Sequence, residues 1–346
     1  MAETTGSATD LEDLLQKFLT WAVAQGWTQD EAIGTVSSGR QLALHKGACF
    51  VSMRWNPTVS ATSVVAIYQA TGYTGGNRSG THPGDSGNGF NTNTTVTDTT
   101  LDDERCLHAI GNGAFPSYYF YTNATGDYLH CVAETSTDTF IHWGMGDTAG
   151  FEKFGDWGTA TGGAYCYGHT LRDSTSANSG SNMTLFDGGA STTAGVTSGL
   201  LRWATMRLVG MPGQAGSEVW ATIGGTVSDS AFTQANDTAG NARAVCAGGF
   251  RGGLAARAFG NFPAGNTSGL APTIPVGVTY LQRTTTPRRL FFLGWMQDVR
   301  ALDLTYFAPK DTFTLGADTW RVFPLIRRVE GSAAGDTDML GIAYKT

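Results

Sequence analysis

A single segment of this chain carries a helical apolar period, so the rest must build its core in some other way. Leu11, Leu14, Leu15, Phe18, Leu19, Ala22 and Val23 recur at i, i+3, i+4, i+7 and i+8, which lines one side of a 3.6-residue helix. Thr9 and Glu12 have capping-box spacing, with Thr9 as N-cap, and Gly26 is the expected stop. The spacing predicts one amphipathic helix, packed on the chain's own sheet or on a neighbouring chain.

From Gln41 onward the apolar runs are short and are cut by turn-forming residues. Gly supplies 47 of the 346 residues and Thr is about as frequent. β-Branched Thr fits a pleated surface and Gly supplies the positive-φ positions of tight turns. Charged residues make up 15%, too few to clothe a set of solvated helices, and a helical bundle is excluded. Extended segments are expected at Gln41–Trp55, Val64–Tyr68, Trp157–Leu171, Leu201–Val209, Glu218–Ile223, Leu290–Val299, Thr312–Leu315 and Thr319–Ile326. A hairpin is expected from Asp127–Ala133 and Thr139–Trp143 around the polar turn Glu134–Asp138. Thr71–Thr100 and Arg172–Ser198 have little to bury and read as long loops, while Asp237–Gly269 resists assignment. No fixed-period repeat occurs, so a solenoid or propeller is not expected. The fold class expected is mainly β: an antiparallel, β-sandwich-like body with one N-terminal amphipathic helix and long Gly/Thr-rich loops. Its expected organisation is a helix arm at 1–27, a β domain with Trp/Gly-rich hairpins at 28–175, and a second β region at 176–346.

Charge narrows the partners. The net charge is −7 and there is no basic run, a poor match to the Lys/Arg surface that replaces phosphate counterions, so direct nucleic-acid binding is not expected. Basic residues other than Lys17, Lys46, Lys153, Lys310 and Lys345 are all Arg, a bias that favours protein interfaces. Residues 1–10 lack the charged-then-apolar pattern of a signal peptide, and no stretch has the length of a membrane span. The five cysteines are odd in number and widely spaced, which fits free thiols in a reducing cytoplasm better than a disulfide scaffold.

Candidate chemistry is sparse. His130 and His142 fall on the two arms of the predicted hairpin and share a face, while Cys131 points the other way. A metal there would need further ligands, with Glu134, Asp147 or His169 as the paper candidates. A hydrogen-bonded structural histidine beside Trp143 is the competing reading and the preferred one. Acidic groups cluster at Asp102-Asp103-Glu104, at Asp147/Glu152/Asp156 and at Asp336/Asp338. Paired carboxylates can hydrolyse glycosides, but chance pairs of this kind are common. Gly84-Asp85-Ser86-Gly87 and Asn178-Ser179-Gly180-Ser181 lie in low-complexity sequence rather than in a strand–turn–helix, and no phosphate-binding loop motif occurs. No catalytic, cofactor-binding or metal-binding residue is assigned, no cofactor is expected, and the chain is not expected to be an enzyme. Leu11, Phe18, Trp143, Trp157 and Trp320 are the candidates for packing or interface anchors, as the bulky apolar residues most able to fill a core or a partner's pocket.

One set of motifs is more specific. Gly126-Asp127-Tyr128-Leu129-His130, Phe140-Ile141-His142-Trp143-Gly144-Met145-Gly146, Lys153-Phe154-Gly155 and Gly162-Gly163-Ala164-Tyr165 form one block. Near the start stand Gly26-Trp27-Thr28 and Leu42-Ala43-Leu44-His45-Lys46-Gly47. Near the end stand Asp311-Thr312-Phe313-Thr314-Leu315-Gly316, Asp318-Thr319-Trp320-Arg321-Val322-Phe323-Pro324 and Gly341-Ile342-Ala343-Tyr344-Lys345. Together these resemble a group of virion structural proteins of tailed bacteriophages, of the tail and baseplate type. The resemblance covers roughly residues 1–170 and the last forty, and leaves the middle unmatched. It implies a virion subunit assembled in the bacterial cytoplasm, with copies of itself and other virion proteins as partners, and it brings no catalytic residues. The alternatives are a carbohydrate- or receptor-binding module at the tail periphery with a host-surface glycan as ligand, a glycan hydrolase, and a capsid decoration protein.

Overall fold

A computed structural model of the chain describes residues 2–36, 39–47, 49–55, 64–70, 72–73, 106–109, 113–147, 151–153, 163–168, 204–208, 219–223, 243–245, 273–282, 289–304, 307–324 and 340–346. Strand accounts for 67% of this part, which makes the chain mainly β, and every ladder is antiparallel.

The strands form three sheets. The first runs, in spatial order, β1 (Ala2–Ala8), β7 (Phe115–Thr122), β8 (Tyr128–Ser136), β9 (Thr139–Asp147), β11 (Gly163–Gly168), β12 (Ala204–Leu208) and β13 (Val219–Ile223). The second runs β2 (Thr28–Val36), β3 (Gly39–Lys46), β4 (Cys49–Trp55), β5 (Val64–Ala70) and β6 (Cys106–Ala109). The third runs β14 (Arg243–Val245), β15 (Thr273–Gln282), β16 (Arg289–Asp303), β19 (Leu340–Lys345), β18 (Asp318–Pro324) and β17 (Thr312–Leu315), with β10 (Phe151–Lys153) also paired to β16. The last strand of the chain therefore lies inside a sheet, between β16 and β18. Strand β16 changes partner along its length, from β10 at 294–296 to β19 at 299–303. The change falls at Asp298, a non-glycine residue at φ +60°.

Helix α1 (Leu11–Ala24) forms where the apolar stripe places it. Its cap lies one residue later than the Thr9/Glu12 spacing predicts. Asp10 is the N-cap, its Oδ1 accepting from the Asp13 N–H at 2.8 Å, and Asp13 Oδ2 accepts from the Thr9 N–H at 2.9 Å. Aspartate caps as well as threonine, and Glu12 instead pairs with Arg40 of β3 at 3.0 Å. The stop is at Gly26, at φ +85°, with Trp27 N–H donating to Ala22 O and Gly26 N–H to Val23 O, the two bonds of a Schellman motif. Val23, counted in the stripe, is 43% exposed, and Trp21 is buried instead. Of the two packing options, the helix takes the chain's own core: Phe18 meets Phe120 and Trp143 edge-on at 5.7 and 6.4 Å.

The expected extended run Gln41–Trp55 is a hairpin, bent at Gly47 with φ +54°. The expected 127–143 hairpin is present, with a tighter turn than expected. Ladder pairing continues to Ser136↔Thr139, and Asp138 takes the left-handed position at φ +57°. Strands β1, β2, β6, β10, β14, β15 and β19 carry no expectation from sequence. The long segments 74–100 and 172–198 and most of 237–269 lie outside the described residues.

Strands β7, β8 and β9 bury both faces. Phe120, Leu129, Cys131, Ala133, Ile141, Trp143 and Met145 project to one side, where Phe18 of α1 packs on Phe120 and Trp143. Tyr119, Tyr121, Tyr128, His130, Val132, Phe140 and His142 project to the other, where Tyr119 and Phe140 meet Phe323 of β18 and Tyr121 meets Tyr344 of β19. One buried cluster joins Ala8, the helix and these strands to Tyr344.

Candidate functional site

The described groups with most chemical potential gather on that second face, where β7–β9 meet the C-terminal strands. Period-two alternation places His130 and His142 on it together, and Val132↔His142 and His130↔Gly144 are the facing pairs. Both imidazoles are about 1% exposed. His142 is held at both nitrogens. Nε2 lies 2.9 Å from Pro324 O of β18, and Nδ1 lies 3.0 Å from the Tyr344 hydroxyl of β19. A carbonyl can only accept, so Nε2 carries the proton and Nδ1 accepts from the tyrosine. His130 lies between the Tyr128 ring at 4.5 Å and the Tyr344 ring at 5.6 Å. It hydrogen-bonds to the Gln297 backbone of β16. The two histidines thus reach all three neighbouring C-terminal strands. Burial lowers the His142 pKa to about 4 against the opposing bond to Pro324, and lowers that of His130 to about 3 against the bond to Gln297. Both rings are neutral near pH 7.

Charged groups rim this layer in pairs. Tyr128 donates to Asp298 Oδ2, and Lys345 lies 3.8 Å from Asp298 and 2.9 Å from Asp318. Tyr121 donates to Glu3 Oε1 at 3.1 Å, and Arg321 pairs with the same oxygen at 2.8 Å, so the first strand is pinned to β18. Burial and the Glu3 charge push the Tyr121 pKa well up. Glu134 accepts from Ser117 at 2.6 Å and from Lys310 at 2.8 Å. Burial would raise its pKa, but the bonds from Lys310 and Ser117 and the Lys310 charge outweigh it and hold the carboxyl below its ordinary range. Glu134 is therefore committed to an ion pair. Among the described residues no group of three or more His, Cys, Asp and Glu side chains could hold a metal ion. His169 lies outside them.

A second polar group sits on the sheet of β2–β6. Asp30 is the extra residue of a β-bulge between Gln29, which faces Leu44, and Glu31, which faces Ala43. The bulge turns its carboxylate onto His45, with both oxygens 2.8 Å from Nδ1, and the His45 ring stacks on Phe50 at 4.6 Å. Beside it, buried Glu31 accepts from Gln41 at 3.1 Å and from the Tyr73 hydroxyl at 2.8 Å. Sequence reasoning missed this group, because His45 faces Thr28 in the ladder and Asp30 reaches it only through a bulge that no local pattern marks.

The anchor candidates divide simply. Leu11, Phe18 and Trp143 are in the main buried cluster. Trp320 is in a smaller one with Leu302, Leu304, Val322 and Ala343, under the Arg300 guanidinium at 5.3 Å. These four are engaged in the chain's own packing; Trp157 lies outside the described residues. Of the acidic clusters, Asp147 and the backbone of Glu152 in β10 are described, and 102–104, 156, 336 and 338 are not. Cys131 is buried, which pushes its thiol pKa well up and leaves it a poor nucleophile. No helix among the described residues is long and apolar enough to cross a membrane. No protein-family model matches the chain, and no curated protein sequence matches it.

Proposed function

We propose that this chain is a structural subunit of a tailed-bacteriophage particle, in the tail or baseplate, without a catalytic role. It acts through protein–protein contacts with copies of itself and with other virion proteins, and it assembles in the host cytoplasm. In this reading the three sheets form a sandwich-like body and the long Gly/Thr-rich segments between strands reach neighbouring subunits. The observation that carries it is the tying of strands far apart in sequence across two sheets. Ala2–Ala8 is a strand of the first sheet, Leu340–Lys345 is an interior strand of the third, and Glu3–Arg321 and His142–Tyr344 tie one sheet to the other. Such cross-ties brace one sheet against the other, which suits a part held among others. The motif resemblance to tail and baseplate proteins supports the same reading.

Mass-calibrated size exclusion of the purified chain, with and without particles lacking it, is the test. A ring-sized oligomer or incorporation into the particles is the expected outcome. A stable monomer that ignores the particles overturns the proposal. Glycan-array binding by that monomer would then favour a receptor-binding module, and glycan turnover abolished by one Asp or Glu substitution would favour a hydrolase.

A further inference from the structure

We propose that His130 and His142 form an acid-sensitive latch, in which neutral imidazoles hold β16, β18 and β19 against β8 and β9 and mild acid makes transient opening of this seam more frequent. The geometry requires a neutral His142. As imidazole it offers one donor, to Pro324 O, and one acceptor, to the Tyr344 hydroxyl. As imidazolium both nitrogens donate, and the Tyr344 proton must then leave Nδ1 and find another acceptor. That hydroxyl has little room to adapt, since the Tyr344 ring is fully buried and stacked on Tyr121 at 5.2 Å and 6°. Phe323 closes the other side, 6.3 Å from the His142 ring. His130 has a comparable setting, between two tyrosine rings and bonded to Gln297.

The titratable and charged groups facing this layer come from every element packed against it. They are Tyr121 of β7 with Glu3 of β1 and Arg321 of β18, Tyr128 of β8 with Asp298 of β16, Tyr344 and Lys345 of β19 with Asp318 of β18, and Glu134 of β8 with Lys310. The carboxylates among them are already paired with a base or a hydroxyl, so they do not supply the imidazoles with a counterion. Released from the seam, each histidine titrates near its ordinary value of about 6.5. Folded, they hold out to about 4 and about 3. The open form therefore takes up protons first, and seam stability falls as pH drops below about 6.5 and is unaffected above it. Each imidazole contributes up to about tenfold per pH unit to the opening equilibrium, so the pair gives up to about a thousandfold at about pH 5.

The experiment is amide hydrogen exchange on the full chain at about pH 7 and pH 5, corrected for intrinsic exchange. Peptides covering 318–324 and 340–345 are expected to lose protection by at least tenfold more than those covering 41–46 and 49–55. In a His130→Gln/His142→Gln double variant that difference is expected to vanish. Unchanged protection, an equal loss in all sheets, or the same acid response in the double variant overturns the latch. Should the double variant not fold, imidazole titration by NMR in the natural chain decides. Both rings neutral through pH 5, with the proton of His142 on Nε2, is the expected result, and either ring titrating near 6.5 in the folded protein overturns it.

Discussion

The two faces of β7–β9 are built from alternating residues of the same strands, yet they hold their neighbours by different means. The helix side is apolar: Phe18, Phe120 and Trp143 meet edge to face, and burial alone fixes them. The C-terminal side is equally buried but carries His130, His142, Tyr121, Tyr128 and Tyr344, each positioned by a polar contact. The helix side tolerates changes of pH because burial keeps its Cys131 thiol protonated and Phe18, Phe120 and Trp143 carry no acid–base group. A buried polar face needs every donor and acceptor matched, so it holds its partners in a defined register but depends on protonation state.

Four substitutions probe that contrast. The largest effect belongs to Phe18→Ala, which empties a fully buried site and costs about 3–5 kcal/mol in urea denaturation. Its cost should be equal at pH 7 and pH 5; a cost that changes with pH would break the distinction between the faces. Lys310→Met comes next, leaving the nearly buried Glu134 with Ser117 as its side-chain donor, at a cost of about 1–2 kcal/mol at pH 7. The sign with pH follows from the depressed carboxyl. Its stabilisation is present above the ordinary Glu value of about 4.3 and is lost as pH falls through the lower folded value. Without Lys310 that folded value moves up toward the unfolded one, so in a urea series from pH 7 to pH 3 the cost of the substitution should shrink as pH falls below about 4.3. Tyr344→Phe removes the hydroxyl from His142 Nδ1 while keeping the ring stack, and should cost about 1–2 kcal/mol. A cost near zero would mean that stacking, not the hydrogen bond, holds β19. The smallest is Asp10→Ala, which removes the helix cap for about 1 kcal/mol, with thermal melting as the readout. Because the cap is remote from the seam, it should leave the exchange of 340–345 unchanged.

Both sides of this contrast were partly legible beforehand. The 3.6-residue stripe located α1, and the 127–143 alternation put His130 and His142 on one face with Cys131 on the other. Ala2–Ala8 was not legible as a strand. It is polar and small and becomes one by lying along β7, from Ala2↔Thr122 to Ala8↔Phe115. The Asp30–His45 pair depends on a bulge, and a bulge shifts alternation by one residue without a local sign. Val23 belongs to the apolar stripe and is nevertheless exposed, because the position of the underlying strands, not the stripe, decides which edge of the helix is covered.

What the amino-acid sequence determined by itself is what neighbouring residues can decide: where α1 lies to within a residue, several of the extended runs, and which side chains of a strand point the same way. Those follow from sterics and periodicity over a few residues. Only the tertiary structure decided what each face would meet. His142 finds its partners 182 and 202 positions away, at Pro324 and Tyr344. Arg321 finds Glu3 across 318 positions. Contacts at that separation depend on how whole sheets pack and on which ladder the final strand enters. Burial then sets the chemistry, since the same imidazole that titrates near 6.5 in water is neutral in the seam down to about 4.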